Sequence, residues 1–204
     1  MKPLVVAATE GEIAPSLDLL SQLQIPYLIT GVGMTATAYQ LGKRITQSRP
    51  DYIINIGIAG SFSKDIALGS LVNIVEDHFS ELGAEDAEQF LSLEDLGFGN
   101  SMFRSSPPPD IKLSLPQEIA ITVNMVHGHT PSIHNLKKRF PGATIESMEG
   151  AAVLFVATEE RLPCLQIRAV SNYVEKRNRD NWEIPLAIKN INKWLQDFLV
   201  KRDL

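Results

Sequence analysis

The sequence predicts an α/β fold in a single domain, and three observations carry that prediction. Short apolar runs of strand length alternate with stretches of helical periodicity from one end of the chain to the other. Runs such as Leu4-Val5-Val6-Ala7-Ala8 are apolar throughout, which suits strands buried on both faces. A chain of 204 residues with 44% hydrophobic content is long enough for one sizeable core and short for two. One domain over residues 1–204 is therefore expected, with no internal repeat, linker or low-complexity tract.

Composition narrows the partners. The formal charge of -5 argues against nucleic acid, whose binding needs basic patches that neutralise phosphates. A small molecule or a protein partner fits better. The single cysteine, Cys164, sits in an apolar run and has no internal disulfide partner, which points to a reducing compartment. The amino terminus carries only Lys2 before an apolar run too short for a secretory segment and far too short to span a bilayer. A cytoplasmic protein with no membrane partner is expected.

The opening unit is strand, turn and helix: residues 4–8, then Ile13, Leu17, Leu20 and Leu23 at helical spacing. Glu10 and Glu12 fall at the strand's carboxyl end, where a ligand binds in an open α/β sheet, and either acid can face it. Residues 27–30 form a second short strand, followed by Gly31-Val32-Gly33-Met34-Thr35 and a helix over 36–47. These glycines, Gly33 among them, let backbone N–H groups face a ligand, but a dinucleotide fingerprint would need a third. No cofactor is expected. Residues 51–60 read as a central strand entering another glycine-bearing turn, and residues 71–75 as a strand ending at Glu76-Asp77-His78. His78 is expected as a hydrogen-bonded strand-end histidine.

Between residues 80 and 116 the periodicity fades, and irregular structure is expected. Residues 118–126 alternate as a strand until Val126-His127-Gly128-His129-Thr130-Pro131 breaks it. Two histidines without a further ligand cluster do not make a metal site, so Val126 and His127 are expected to touch a ligand or to hold their loop by hydrogen bonds. A short basic helix over 132–140, a strand over 143–145, a helix over 148–161 and a strand over 165–170 follow. Asn172 to Asp180 reads as a charged turn, and Leu186, Ile188, Ile191, Trp194, Leu195, Phe198 and Leu199 mark a closing helix.

The stretch Ile145-Glu146-Ser147-Met148-Glu149-Gly150-Ala151-Ala152 organises the rest. It sets Glu149 where an extended segment turns into a helix, followed by residues small enough for close approach. Glu12 and Asn172 each end another apolar run, and parallel strands bring their ends to one edge. Three polar residues distant in sequence are thus expected in one crevice.

These motifs, Glu12, Asn55-Ile56-Gly57-Ile58-Ala59-Gly60, Ser147-Met148-Glu149-Gly150-Ala151 and Ile167-Arg168-Ala169-Val170-Ser171-Asn172, resemble the purine nucleoside phosphorylase and methylthioadenosine nucleosidase superfamily. Within it, the run from Asn172 to Trp182 resembles the futalosine hydrolase family. The resemblance covers nearly the whole chain and is weakest between residues 80 and 116. It implies a three-layer αβα sandwich around a central mixed sheet, a homodimer or higher oligomer, and cleavage of a purine N-glycosidic bond. For that family the products are hypoxanthine and dehypoxanthine futalosine, in menaquinone biosynthesis.

The resemblance assigns roles residue by residue. Glu12 activates water, Glu149 holds the ribose hydroxyls, and Met148 packs on the ribose face. Adenine-releasing relatives carry an aspartate where this chain has Asn172, whose amide can donate to O6 while its carbonyl accepts from a protonated N7. That match favours a 6-oxopurine, and Ser171 becomes a candidate proton relay. Related phosphorylases carry an arginine and a serine at the places of Asn55 and Ile58; an apolar Ile58 offers no hydrogen bond to phosphate, so water is the better acceptor. The benzoate of the futalosine side arm needs a cation, available from Lys176, Arg177 or Arg179, with Arg177 the chosen candidate, and an apolar slot open to Trp182, Phe98 or Phe103. The competing expectations are another nucleosidase or phosphorylase, acting on 6-oxopurine nucleosides or methylthioadenosine-like substrates, and a non-catalytic nucleoside-binding protein.

Overall fold

A computed structural model describes residues 1–202. The chain enters through β1 (Pro3–Ala7), all of whose residues are buried. The helix expected after it is broken into α1 (Glu10–Ile13), a 3-10 turn (Ala14–Ser16) and α2 (Leu17–Gln22). Pro15 explains the break, because it has no N–H to give and its ring crowds the preceding turn. β2 (Tyr27–Ile29), α3 (Met34–Gln47) and β3 (Tyr52–Ser61) follow near their expected places.

β4 (Leu71–Phe79) runs past the expected end at Val75, because its polar residues find partners on both sides. Asp77 pairs with Phe103 of one neighbouring strand and Ala120 of another. The region from 80 to 116 is more regular than its composition suggests. It holds a hairpin of β5 (Gly83–Asp86) and β6 (Gln89–Ser92), the short helix α4 (Leu93–Leu96) and β7 (Met102–Arg104). Ser92 caps α4, its Oγ accepting from the Asp95 N–H at 3.2 Å while the Asp95 carboxylate accepts from the Ser92 N–H at 2.9 Å. Elements this short leave too few residues for a period to show.

The second half supplies β8 (Gln117–Thr122), α5 (Thr130–Arg139), β9 (Ala143–Ser147), α6 (Gly150–Glu159), β10 (Cys164–Tyr173) and α7 (Ile184–Arg202). The main sheet is mixed. Its order is β10-β4-β8-β9-β3-β1-β2, and β10 also pairs with β3, so five strands close on themselves while β1 and β2 extend from β3. β1, β3 and β10 run parallel, which brings their carboxyl ends to one edge.

Alternating side chains feed two helical layers. Val5, Ala7, Ile54, Ile56, Leu165 and Ile167 pack with Ile13, Leu20 and α7's Ile191 and Leu195. On the other face Leu4, Val6, Ile53 and Cys164 pack with Leu41 and Ile45 of α3 and Val153, Leu154 and Ala157 of α6. This is the expected αβα layering. No helix among the described residues is long and apolar enough to cross a membrane.

Candidate active site

A cavity of about 420 Å³ opens where β1, β3 and β10 end, and Glu12, Glu149 and Asn172 all line it. The three residues the sequence singled out therefore share one crevice.

Its acidic end is held by backbone donors. Glu12, in the first turn of α1, accepts from the Thr9 N–H and hydroxyl on Oε2, each at 3.0 Å, and from the Ile58 N–H on Oε1 at 3.0 Å. A carboxylate has about four acceptor sites, so one remains for a proton donor in the cavity. Glu149 stands at the amino-terminal cap of α6, where its Oε1 accepts from the Gly33 N–H at 2.8 Å. Burial raises the pKa of Glu149; the Gly33 N–H and the Arg168 guanidinium pull it down, and the charge of Glu12 pushes it further up.

Arg168 is the counter-charge beneath this end. It is 1% exposed, and its Nη1 donates to Asn55 Oδ1 and to the Ile167 carbonyl, both at 3.2 Å. Gly57 faces it across the β3–β10 ladder, and a Cβ there would lie 2.9 Å from Glu12 Oε1 and 3.6 Å from Arg168 Nη1. The glycine is what lets acid and guanidinium share that space. Sequence reading passed over Arg168, although a charge in the middle of an otherwise apolar strand was the available signal.

The amide end depends on strand register. β10 carries one extra residue between Val170 and Asn172, a bulge at Ser171, and this places Asn172 directly opposite Gly60 of β3. The Ser171 hydroxyl lies 2.9 Å from Asn172 Oδ1 and 3.2 Å from the Ala59 carbonyl, while Asn172 Nδ2 donates to the Tyr173 carbonyl at 3.2 Å. Glu146, a residue the sequence reading did not select, is opposite Gly60 from the other side, on β9. Its Oε1 accepts from the His127 N–H at 3.0 Å and its Oε2 from the His127 ring Nδ1 at 2.5 Å. That hydrogen bond, opposed by burial, raises the pKa of His127. His129 lies at the exposed start of α5.

Other expected residues fall as follows. Ile58, Met148, Ser171, Val126, His127 and Arg177 line the cavity. Gly33 does not: its N–H is spent on Glu149, and Val32 meets the cavity instead. The expected direct contact from Gly33 is replaced by support of the acid. Of the two amino-terminal acids, Glu12 faces the cavity and Glu10 is exposed outside it. Trp182 lines the cavity with the Arg177 guanidinium 5.2 Å from its ring centroid, whereas Lys176 and Arg179 are not lining residues. Phe98 and Phe103 are set apart from it. They line a neighbouring groove with Phe79 and Phe155, because β7 carries Phe103 onto β4 and away from the edge where β1, β3 and β10 end.

The fold agrees with that of known proteins the chain is similar to. It belongs to the phosphorylase superfamily, which it matches over residues 19–200. Among curated relatives it is similar to the futalosine hydrolase of Streptomyces coelicolor, 35% identical over 171 residues, spanning 79% of this chain and 72% of that protein. The futalosine hydrolase of Acidothermus cellulolyticus is 32% identical over 173 residues, 80% of this chain and 70% of that one. In structure the chain is similar to the futalosine hydrolase of Helicobacter pylori, with a TM-score of 0.81 over 98% of each chain at 15% identity, a likeness of fold.

Proposed function

We propose that this protein hydrolyses the N-glycosidic bond of futalosine, releasing hypoxanthine and dehypoxanthine futalosine as a step of menaquinone biosynthesis in the cytoplasm. The observation that carries the reading is the meeting of Glu12, Glu149 and Asn172 in one cavity. Cleavage develops positive charge on the ribose and negative charge on the departing base. Glu12 takes a proton from a water through its remaining acceptor site as that water attacks C1′. The electron pair of the C1′–N9 bond leaves with the base, which gains a proton at N7 from water or through Ser171. Glu149 accepts from the ribose hydroxyls and favours the cationic sugar by charge, the kind of preorganised electrostatic effect that contributes most to many rate enhancements. Arg168 keeps two nearby acids tolerable without occupying the cavity.

Water is the acceptor in this reading. Ile58 presents an apolar side chain and has already given its N–H to Glu12, and Asn55 is buried behind the cavity wall and does not line it, so a phosphate dianion would enter without donors from either. Arg177 stacked beside Trp182 offers the side-arm carboxylate a cation next to an aromatic face. Purified protein incubated with futalosine is expected to release hypoxanthine at a rate indifferent to added phosphate. Turnover of inosine that requires phosphate, with none of futalosine, would replace this reading with a phosphorylase.

The active assembly is a homodimer or higher homo-oligomer. Val32 and Val126 stand at the cavity rim 58% and 42% exposed, and Met125 beside them is 71% exposed, an apolar margin that suits cover by a second copy. Light scattering on the purified protein is expected to give a mass at least twice that of one chain.

A further inference from the structure

Asn172, Gly60 and Glu146 form one row across three neighbouring strands, since Gly60 is the direct partner of both. Direct partners present their side chains on the same face, so the amide and the carboxylate flank a gap two strand spacings wide, roughly 10 Å. Gly60 keeps the floor of that gap open. A Cβ there would meet Val174 Cγ2 at 2.8 Å and Asn172 Nδ2 at 3.2 Å. All three residues line the cavity, and Glu146 is 3% exposed.

Glu146 is oriented rather than consumed by its partners. The His127 N–H takes one acceptor site on Oε1 and the ring Nδ1 one on Oε2, leaving about two of the four. The same contacts change what the wall offers a ligand. His127's backbone donor is already used, so at this point the cavity presents an acceptor. A 6-oxopurine in its lactam form carries a hydrogen on N1, next to O6, whereas a 6-aminopurine has a lone pair at N1. The two base types are opposites at that atom.

The geometry points to Glu146 as a specificity-determining residue that accepts the N1–H of the 6-oxopurine, across the base from Asn172, with His127 as its positioning residue. This rests on the proposed function and deepens it, since Asn172 alone addresses only O6 and N7. A 6-aminopurine placed in the same way would set its N1 lone pair against the Glu146 carboxylate with no donor between them. Closed sites reject such mismatches strongly.

The test uses free bases, so that it reads the base end without the glycosidic bond or the side arm. By calorimetry the parent protein is expected to bind hypoxanthine on the order of 100-fold more tightly than adenine or 1-methylhypoxanthine, which lacks the N1 hydrogen. In Glu146→Gln, whose amide oxygen can still accept from the His127 N–H and whose NH₂ can turn to the base, hypoxanthine is expected to weaken by about 10- to 100-fold. Adenine is expected to hold or gain, so that the ratio between the bases collapses or inverts. A purely structural role for Glu146 would weaken both bases alike. That outcome overturns the assignment, as does an unchanged preference in Glu146→Gln, a parent that does not discriminate against 1-methylhypoxanthine, or a parent that binds neither purine. Should Glu146→Gln fail to fold, the comparison of the bases in the parent still decides. Failure of the parent to release hypoxanthine from futalosine, with the preference among free bases intact, would instead count against the proposed substrate and leave Glu146 in its role.

Discussion

The two ends of the cavity are built by different means. At the acidic end, Glu12 comes from the first turn of α1 and Glu149 from the amino-terminal cap of α6, and each is fixed by backbone N–H groups of other segments, Ile58 for one and Gly33 for the other. At the amide end, Asn172 and Glu146 belong to strands and are brought together by register, through a bulge on one side and a shared glycine partner on the other. A helix start leaves a local trace in the sequence. Register between strands more than twenty residues apart does not. On the proposed reading, the chemistry of bond cleavage sits where the sequence signal is local and strong, and part of the choice of base where it is weak.

If the acidic end makes the reaction and the amide end selects the base, substitutions should separate the two. Glu12→Gln carries the largest expected effect, a loss of roughly 10³- to 10⁴-fold or more in single-turnover rate, because the proton acceptor is gone. Hypoxanthine affinity should stay within a few-fold of the parent. A variant that keeps its rate would move the base to a water chain.

Asn172→Asp is next, with an expected drop of roughly 100-fold in kcat/KM for futalosine as the donor to O6 becomes a second acceptor. Steady-state rates with futalosine check it. Equal rates in parent and variant would remove Asn172 from base selection.

The ends should also differ in their response to pH. Burial raises the pKa of Glu149, so its carboxylate gains a proton, and loses charge and acceptor, as pH falls through that raised value. The single-turnover rate should decline over that range. Hypoxanthine affinity should change less there, because Glu149 is assigned to the ribose and not to the base. Parallel pH titrations of rate and of binding distinguish the two; a matching decline in both would mean that the ends titrate as one.

The smallest effect on activity is expected at Asp77, which lies outside the cavity, its carboxylate accepting from Gln166 at 2.7 Å and from Thr122 at 2.9 Å. Burial raises its pKa to about 6 against an ordinary 3.8, so folding favours the protonated acid. That contribution is complete below 3.8 and is lost as pH rises to about 6, a cost of about 3 kcal/mol at neutral pH. Asp77→Asn should flatten this slope in denaturant titrations between pH 4 and 7, helped by Gln166 Oε1, which has no partner among the described residues and can accept from the new amide after Gln166 turns over. Its kcat should match the parent's.

Much of the molecule could be read in advance where the signal was local. Apolar runs marked β1, β3 and β10, and the crevice at their ends followed from their being parallel. Pro15 should have warned of the broken helix after β1, but Ile13, Leu17 and Leu20 kept a helical period across it because the helical segments and the turn between them still face one core. The elements between residues 80 and 116 are three or four residues long, below the length at which a period can be recognised. Arg168 hid inside an apolar motif, and Glu146 lay two residues before Met148, overshadowed by Glu149; their importance comes from the strands opposite them. Gly57 and Gly60 likewise stood in a run read as a strand entering a turn, while their place in β3 leaves space for the Glu12 carboxylate and Arg168 guanidinium at one and for the Asn172 and Val174 side chains at the other.

The central claim is that two acids and an amide surround one ribosyl-oxopurine, and a crystal structure of Glu12→Gln soaked with intact futalosine tests it most directly. The account predicts hypoxanthine lying over Gly60 with O6 and N7 at Asn172, the ribose hydroxyls at Glu149, and C1′ within reach of a water at residue 12. Futalosine bound elsewhere, or bound here with its ribose turned toward Asn172 and its base toward Glu149, would contradict it.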